Sequence, residues 1–125
     1  MTLKVDTVQN TSGGAVTLTK QVAAKMFAAA NGDTTINGSF GLSSITDNAS
    51  GDNTYTMTSA MSNAHYAISA LGRSDDNANA RMAAPCLTSH RALPTTTAVN
   101  ISFHYDNSNR RECDHETVSV IGDLA

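Results

Sequence analysis

The sequence is poor in charged and in aromatic residues. Of its 125 residues, 15% are charged and 5% are aromatic, with no Trp, whereas about 25% of the residues of a typical globular protein are charged. Only eight residues are Lys or Arg, and the formal net charge is −3. Proteins that bind duplex nucleic acid need many clustered cations to displace its counterions. We therefore expect no nucleic-acid partner.

Long apolar runs are missing as well. No run approaches the roughly 18 apolar residues that a membrane-spanning helix needs, and residues 1–6 (MTLKVD) do not form the apolar segment of a secretory signal. We expect no membrane insertion, and synthesis in a cytoplasm without export through a signal peptide.

Cysteine is scarce, with Cys86 and Cys113 as the two examples. The sequence leaves open whether these two residues pair. A structural disulfide is unusual in a protein that matures in a reducing compartment, so two buried free thiols are favoured.

Ser, Thr and Asn are abundant instead, and together they make up 40 residues. Because Thr favours strands and the good helix formers Glu and Lys are rare, an all-helical protein is excluded. Apolar and polar residues alternate in several short stretches separated by polar turns, most clearly over residues 99–105, and also over 38–45, 54–58, 66–71 and 117–121. A weaker strand is expected near 82–88, after a polar loop over 72–80. This pattern predicts a mainly β protein, an antiparallel β-sandwich.

Residues 20–30 are ambiguous. Val22, Met26 and Ala30 recur at helical spacing, and Asn31-Gly32 would end a helix. One short helix near 20–30 and a strand both stay open.

The first 19 residues differ from the rest of the chain. Two short alternating runs flank Gly13-Gly14, which is typical of a hairpin or an extended arm. We expect residues 1–19 to form an N-terminal arm for attachment and trimerisation, and residues 20–125 to form the β-sandwich domain. The arm would use its apolar side chains for contact, namely Leu3, Val5, Val8, Val16 and Leu18. Because many of the apolar residues are Ala, the core of one copy should be thin, and this favours an oligomer.

Three segments of the first half carry a resemblance to a known family. They are residues 3–20 (LKVDTVQNTSGGAVTLTK), residues 42–48 (LSSITDN) followed by Gly51-Asp52, and residues 60–66 (AMSNAHY). Together they resemble tail-fibre-like virion proteins of marine tailed bacteriophages, over about residues 3–71. The resemblance implies a trimeric fibre or terminal knob that contacts the particle or the host surface.

The chain departs from that family at two places. Residues 25–32 (KMFAAANG) have alanines where the relatives have aromatic residues, and residues 51–55 (GDNTY) contain two extra residues before the Tyr. Beyond Leu71 no family motif is found, so the resemblance says nothing about chemistry at the tip.

No catalytic or cofactor motif stands out. A nucleophile elbow, a Walker loop and a dinucleotide fingerprint are all missing from the sequence. A metal site is conceivable if two cysteines and two histidines converge, although their spacings match no zinc motif; these residues are Cys86, His90, Cys113 and His115. His104 on the polar face of its strand could bind an ion at a trimer axis, and His65 is expected only to begin a strand. For each histidine, an ordinary solvated or hydrogen-bonded side chain is the favoured interpretation.

The acidic pairs and the clustered cations each have a functional and an ordinary interpretation. Asp75-Asp76, or Asp114 with Glu116, could supply paired carboxylates, but adjacent acids in turns usually keep loops solvated. Arg73 and Arg110-Arg111 could bind an acidic glycan or, as favoured here, pair with acidic groups of a neighbouring subunit. We predict no enzyme activity, no cofactor and no metal.

The function expected from all of this is that of a structural virion protein. It would be a homotrimeric fibre or knob on the virion surface, made in the host cytoplasm, joined to another virion protein through the arm, with a host-surface glycan as a further partner. A capsid decoration protein is the main alternative, and a glycan-processing enzyme is a remote one.

Overall fold

A computed structural model describes residues 22–76, 79–86, 94–104 and 109–123. All regular structure in these ranges is β-strand. The strands are β1 (Val22–Ala30), β2 (Ile36–Phe40), β3 (Leu42–Ala49), β4 (Asp52–Met57), β5 (Ala67–Asp76), β6 (Asn79–Cys86), β7 (Ala98–His104) and β8 (His115–Asp123).

The strands hydrogen-bond in the order β2-β1-β8-β5-β6-β7-β4-β3, with every pairing antiparallel. Strand β6 changes layers along its length, because its first part pairs with β5 and residues 84–86 pair with β7. The order is thereby divided into a four-stranded layer (β2-β1-β8-β5) and a three-stranded layer (β7-β4-β3). The two layers pack together as the predicted β-sandwich.

The core lies between these layers and follows the two-residue period of each strand. Strand β7 directs Val99, Ile101 and Phe103 inward, and all three are buried. They meet other buried apolar side chains from both layers, which are Met26, Ala28, Tyr55, Met57, Met61, Cys113, Val118 and Val120. The apolar face predicted for residues 99–105 is therefore confirmed for its three described members.

The structure answers the ambiguity at residues 20–30 in favour of a strand. Strand β1 is hydrogen-bonded on both sides, to β2 and to β8. Its inward residues Met26, Ala28 and Ala30 are buried, while Phe27 points outward. Tertiary pairing on both edges thus overrides the helical preference of alanine.

Two boundaries predicted from the sequence are wrong. The single strand over 38–45 is interrupted at Gly41, whose φ of 64° lies in the left-handed region that favours glycine; the chain turns there, from β2 into β3. The predicted loop over 72–80 is instead the meeting point of β5 and β6, where Asp76 pairs with Asn79. The polar composition of this segment favours a loop. The two strands nevertheless form, because their backbone N–H and C=O groups hydrogen-bond to each other.

The segment that precedes β8 closes one end of the sandwich. The Gly51 N–H donates to Glu112 Oε2 at 3.0 Å, and the Phe103 N–H donates to the Gly51 carbonyl at 2.8 Å. Gly51 has φ 63°, and a side chain there would meet the Arg111 backbone. This close approach holds the residues before β8 against the start of β4.

The N-terminal arm and its five apolar residues lie outside the described residues, so the predicted boundary at residue 19 stays a prediction. Within the described ranges there is no helix of the length and apolar character needed to cross a membrane.

Candidate interaction surface and buried polar cluster

The described part of the four-stranded layer exposes five large apolar side chains. Ile36 of β2 is 46% exposed and pairs with the inward-facing Ala30; the other four lie on the outer surface. Phe27 is 45% exposed, Phe40 58%, Leu71 50% and Ile121 38%. We call the surface that these four residues define the outer face. Single exposed apolar residues are normal on proteins, but four on one sheet face indicate a contact surface.

Strand register explains why these residues share a face. Phe27 pairs with Phe40 across β1 and β2, and the two rings stack with centroids 6.4 Å apart and an interplanar angle of 17°. Ser119 and Ser69 continue the same row across β8 and β5. Directly opposed residues lie on the same side of a sheet, so the aromatic pair is flanked by small side chains.

A groove borders this face beside the aromatic pair. It has a volume of about 410 Å³, and its lining includes Lys25, Phe40 and Thr58. The lining combines one cation, a hydroxyl group and an aromatic ring. That combination suits a small polar ligand with one apolar side.

A second feature lies inside the sandwich, where polar side chains from both layers meet. Glu116 of β8 and Asn53 and Tyr55 of β4 are each 0–1% exposed. The Asn53 side-chain amide donates to Glu116 Oε1 at 2.9 Å. Asn53 Oδ1, the Tyr55 hydroxyl and Glu116 Oε2 have no hydrogen-bond partner. We call these three residues the buried cluster.

The electrostatics of the buried cluster follow from its removal from water. Burial raises the pKa of Glu116 to about 7; the Tyr55 and Asn53 side chains lower it, and the negative charges of Glu112 and Asp47 raise it. Burial is also the main reason why the pKa of Tyr55 rises above its usual value, with a further contribution from the charge of Glu116. The Tyr55 hydroxyl is thus near enough to influence the carboxyl, although it makes no well-aligned hydrogen bond.

Cys113 borders the buried cluster as a free, buried thiol. Burial, followed by the negative charges of Glu116, Glu112 and Asp114, raises its pKa to about 12. Because the thiolate is the reactive form, this cysteine is chemically inert near neutral pH. It is one of the two free thiols that the sequence favours; the side chain of Cys86 lies outside the described part.

A buried ion pair joins the segment before β8 to β4. Arg110 Nη1 donates to Asp52 Oδ2 at 2.8 Å, and the Asp52 side chain is 1% exposed while that of Arg110 is 36% exposed. Arg110 thus has an acidic partner within its own chain; its pairing with acidic groups of a neighbouring subunit stays a prediction.

The other side chains singled out from the sequence do not converge where the structure describes them. Of the metal-ligand candidates, His115 is exposed and Cys113 is buried, while His90 lies outside the described residues. In the part of the chain that the structure describes, no three potential ligand side chains come together. Asp114 is exposed and Glu116 is buried, so this pair does not line a shared cleft. His65 is exposed and His104 is half-buried.

The buried cluster is not among the sites predicted from the sequence. Its signal was present, because Glu116 precedes Val118 and Val120 by two and four residues and Asn53 precedes Tyr55 by two. Extending each alternating run by one step places both polar residues on the core face. The pattern of one strand does not show that Asn53 and Glu116 meet across the two layers, because they are 63 residues apart in the sequence.

Comparison with models of protein families, with curated proteins and with solved structures found no match to this chain.

Proposed function

We propose that this chain is a structural virion protein of a tailed bacteriophage, a non-catalytic β-sandwich knob that functions as an assembly of three copies. The observation that supports the proposal most is the outer face, with Phe27 and Phe40 stacked and half exposed beside Leu71 and Ile121. Burying such a surface between copies would add the apolar contact that a small core lacks.

The two edges that the described strands leave unpaired support assembly as well. Strands β2 and β3 end the strand order, and all residues of β2 except Gly38 are exposed. An unpaired strand edge accepts a further strand from another chain. We propose that residues 1–19 supply such a strand to another virion protein, with Leu3, Val5 and Val16 among the side chains that anchor it.

The groove beside the aromatic pair is the place that we propose for a host-surface glycan. Phe40 offers a flat apolar surface, Thr58 a hydroxyl group and Lys25 a positive charge. These are the groups that stack on a sugar ring, hydrogen-bond its hydroxyls and attract an acidic substituent.

Native mass tests the assembly. Light scattering on the full chain should give three times its 13.1 kDa mass, unchanged by a chelator. Phe40→Lys places a charge on the outer face and should shift the protein to monomer at concentrations at which the parent stays assembled. The matched control is Thr97→Lys, an exposed residue just before β7 and away from both end strands, which should leave the mass unchanged. A parent protein that stays monomeric at all concentrations would overturn the proposal.

A capsid decoration protein with the same sandwich is the alternative. It is favoured by the absence of a long fibre shaft from the described ranges, in which each strand is at most 10 residues long. Quantitative mass spectrometry of purified particles separates the two. A fibre is present in few copies, whereas a decoration protein approaches the number of shell subunits.

A further inference from the structure

We propose that Glu116 is a proton-dependent latch between the two layers of the sandwich, closed when its carboxyl group is protonated and weakened when it is ionised. The inference is independent of the proposed function, because it rests on the interior of a single copy.

The position of Glu116 makes it a link between layers. In the four-stranded layer its neighbours across β1 and β5 are Ala30 and Gly72. From the three-stranded layer, Asn53 reaches across the core to its Oε1 at 2.9 Å. The layers are closely apposed here, since a Cβ on Gly72 would come within 2.5 Å of the Phe103 ring. A change of charge at this site therefore acts where the two layers have little room to adjust.

The hydrogen-bonding inventory favours the protonated form. Glu116 Oε2, the Tyr55 hydroxyl and Asn53 Oδ1 are buried and without a partner, and the Tyr55 O–H is the one donor among these three groups. An ionised carboxylate only accepts, whereas a protonated carboxyl adds one donor. In the ionised form, the Tyr55 O–H is one donor for two oxygens that only accept; protonation of Glu116 adds a second donor and removes a buried charge.

The negative charges near Glu116 disfavour the ionised form of its carboxyl group. Strand β4 contributes Asn53 and Tyr55, strand β3 contributes Asp47, and the segment before β8 contributes Glu112 and Cys113. Two charged groups in the described part of the chain raise the pKa of Glu116, namely Glu112 and Asp47, and both are negative. The neighbours on β1, β5 and β7 are Ala30, Gly72 and Phe103, which carry no charge.

The direction of the effect follows from linkage. The pKa of Glu116 is about 7 in the folded chain against 4.5 for an ordinary glutamate, so folding favours the bound proton. This contribution to stability is fully present below pH 4.5 and is lost as the pH rises through 7. From pH 5 to pH 8.5, the unfolding equilibrium constant should increase on the order of 50- to 100-fold because of this one group.

Carbon NMR tests the latch directly, because the chain contains only two glutamates, Glu112 and Glu116. Labelling glutamate at the side-chain carboxyl carbon gives two signals. The signal that disappears in Glu112→Gln belongs to Glu112, and the remaining signal belongs to Glu116. We expect the Glu116 signal to titrate near pH 7. A midpoint near 4.5 in the folded parent protein would overturn the proposal without any variant at Glu116.

Denaturant unfolding against pH tests the consequence for the sandwich. Glu116→Gln keeps the shape of the side chain and removes its ionisation. It should therefore abolish the 50- to 100-fold increase in the unfolding equilibrium constant between pH 5 and pH 8.5. Glu112→Gln is the matched control, because it makes the same chemical change on an exposed side chain. In this variant most of the increase in the unfolding equilibrium constant with pH should remain. Hydrogen exchange of β4 and β8 amides in the parent should accelerate over the same pH range beyond the intrinsic base-catalysed increase. A Glu116→Gln protein with the pH dependence of the parent would refute the latch.

Discussion

The close approach of the two layers at Gly72 gives a sharp test of the fold. A Cβ added to this residue would lie 2.5 and 2.9 Å from two atoms of the Phe103 ring and 2.7 Å from the Cys113 sulfur. Phe103 is fully buried and Cys113 nearly so, so neither can move without disturbing the core. The backbone of Gly72 is not among those with positive φ, and the cost of a side chain there is therefore steric alone.

We expect Gly72→Ala to lower the free energy of unfolding by about 2 kcal/mol. Overpacking a core by one methyl group costs about 1–3 kcal/mol, and the lower backbone entropy of an unfolded alanine offsets about 0.5 kcal/mol of this. Urea unfolding followed by circular dichroism measures the change, with an unaltered slope as the sign that the unfolded state is unaffected.

Two further variants make this measurement specific. Gly38→Ala is the matched control, because a Cβ there meets no atom within 4 Å; it should change stability by no more than about 0.5 kcal/mol. Phe103→Leu, which shortens the opposing ring, should reduce the cost of Gly72→Ala in the double variant. Equal stability of Gly72→Ala and Gly38→Ala would show that the layers do not meet at this point.

The remaining predictions concern single side chains. Ile101→Asp should prevent folding, because it places a charge on the buried face of β7; soluble, folded protein would show that this face is not in the core. Arg110→Met should cost about 1–3 kcal/mol by removing the charged hydrogen bond that Arg110 donates to the buried Asp52 carboxylate, measured by thermal unfolding. Tyr55→Phe should cost less than about 1 kcal/mol, since its hydroxyl has no hydrogen-bond partner, and it should raise the pKa of Glu116 further by removing a group that lowers it. Under the proposed function, removal of residues 1–19 should release the protein from the virion, and it should leave the circular dichroism of the sandwich intact.

The strand content follows directly from local sequence. Residues 98–104 alternate apolar and polar side chains over a full strand, and this period fixes which side of the sheet each residue occupies. For that reason the inward placement of Val99, Ile101 and Phe103 was predictable. The strand expected at 117–121 is likewise confirmed as the centre of β8.

Other elements needed the tertiary structure. The alanines of residues 22–30 are compatible with helix or strand, and pairing with β2 on one side and β8 on the other decides for a strand. Those partners are not both neighbours in the sequence, because β1 and β8 are the first and last strands of the described chain. Local preference contains no information about such a distant pairing, and the hydrogen bonds of two flanking strands outweigh it.

The sequence by itself determined a mainly β chain with few charges and a predictable core face on β7 and β8. Only the tertiary structure decided that Glu116 is buried opposite Asn53, and that Phe27, Phe40, Leu71 and Ile121 share one exposed face. Side-chain alternation is a property of one strand and can be seen in its residues. A shift in pKa or a contact surface arises from side chains of different strands, and these are brought together only when the layers pair and pack.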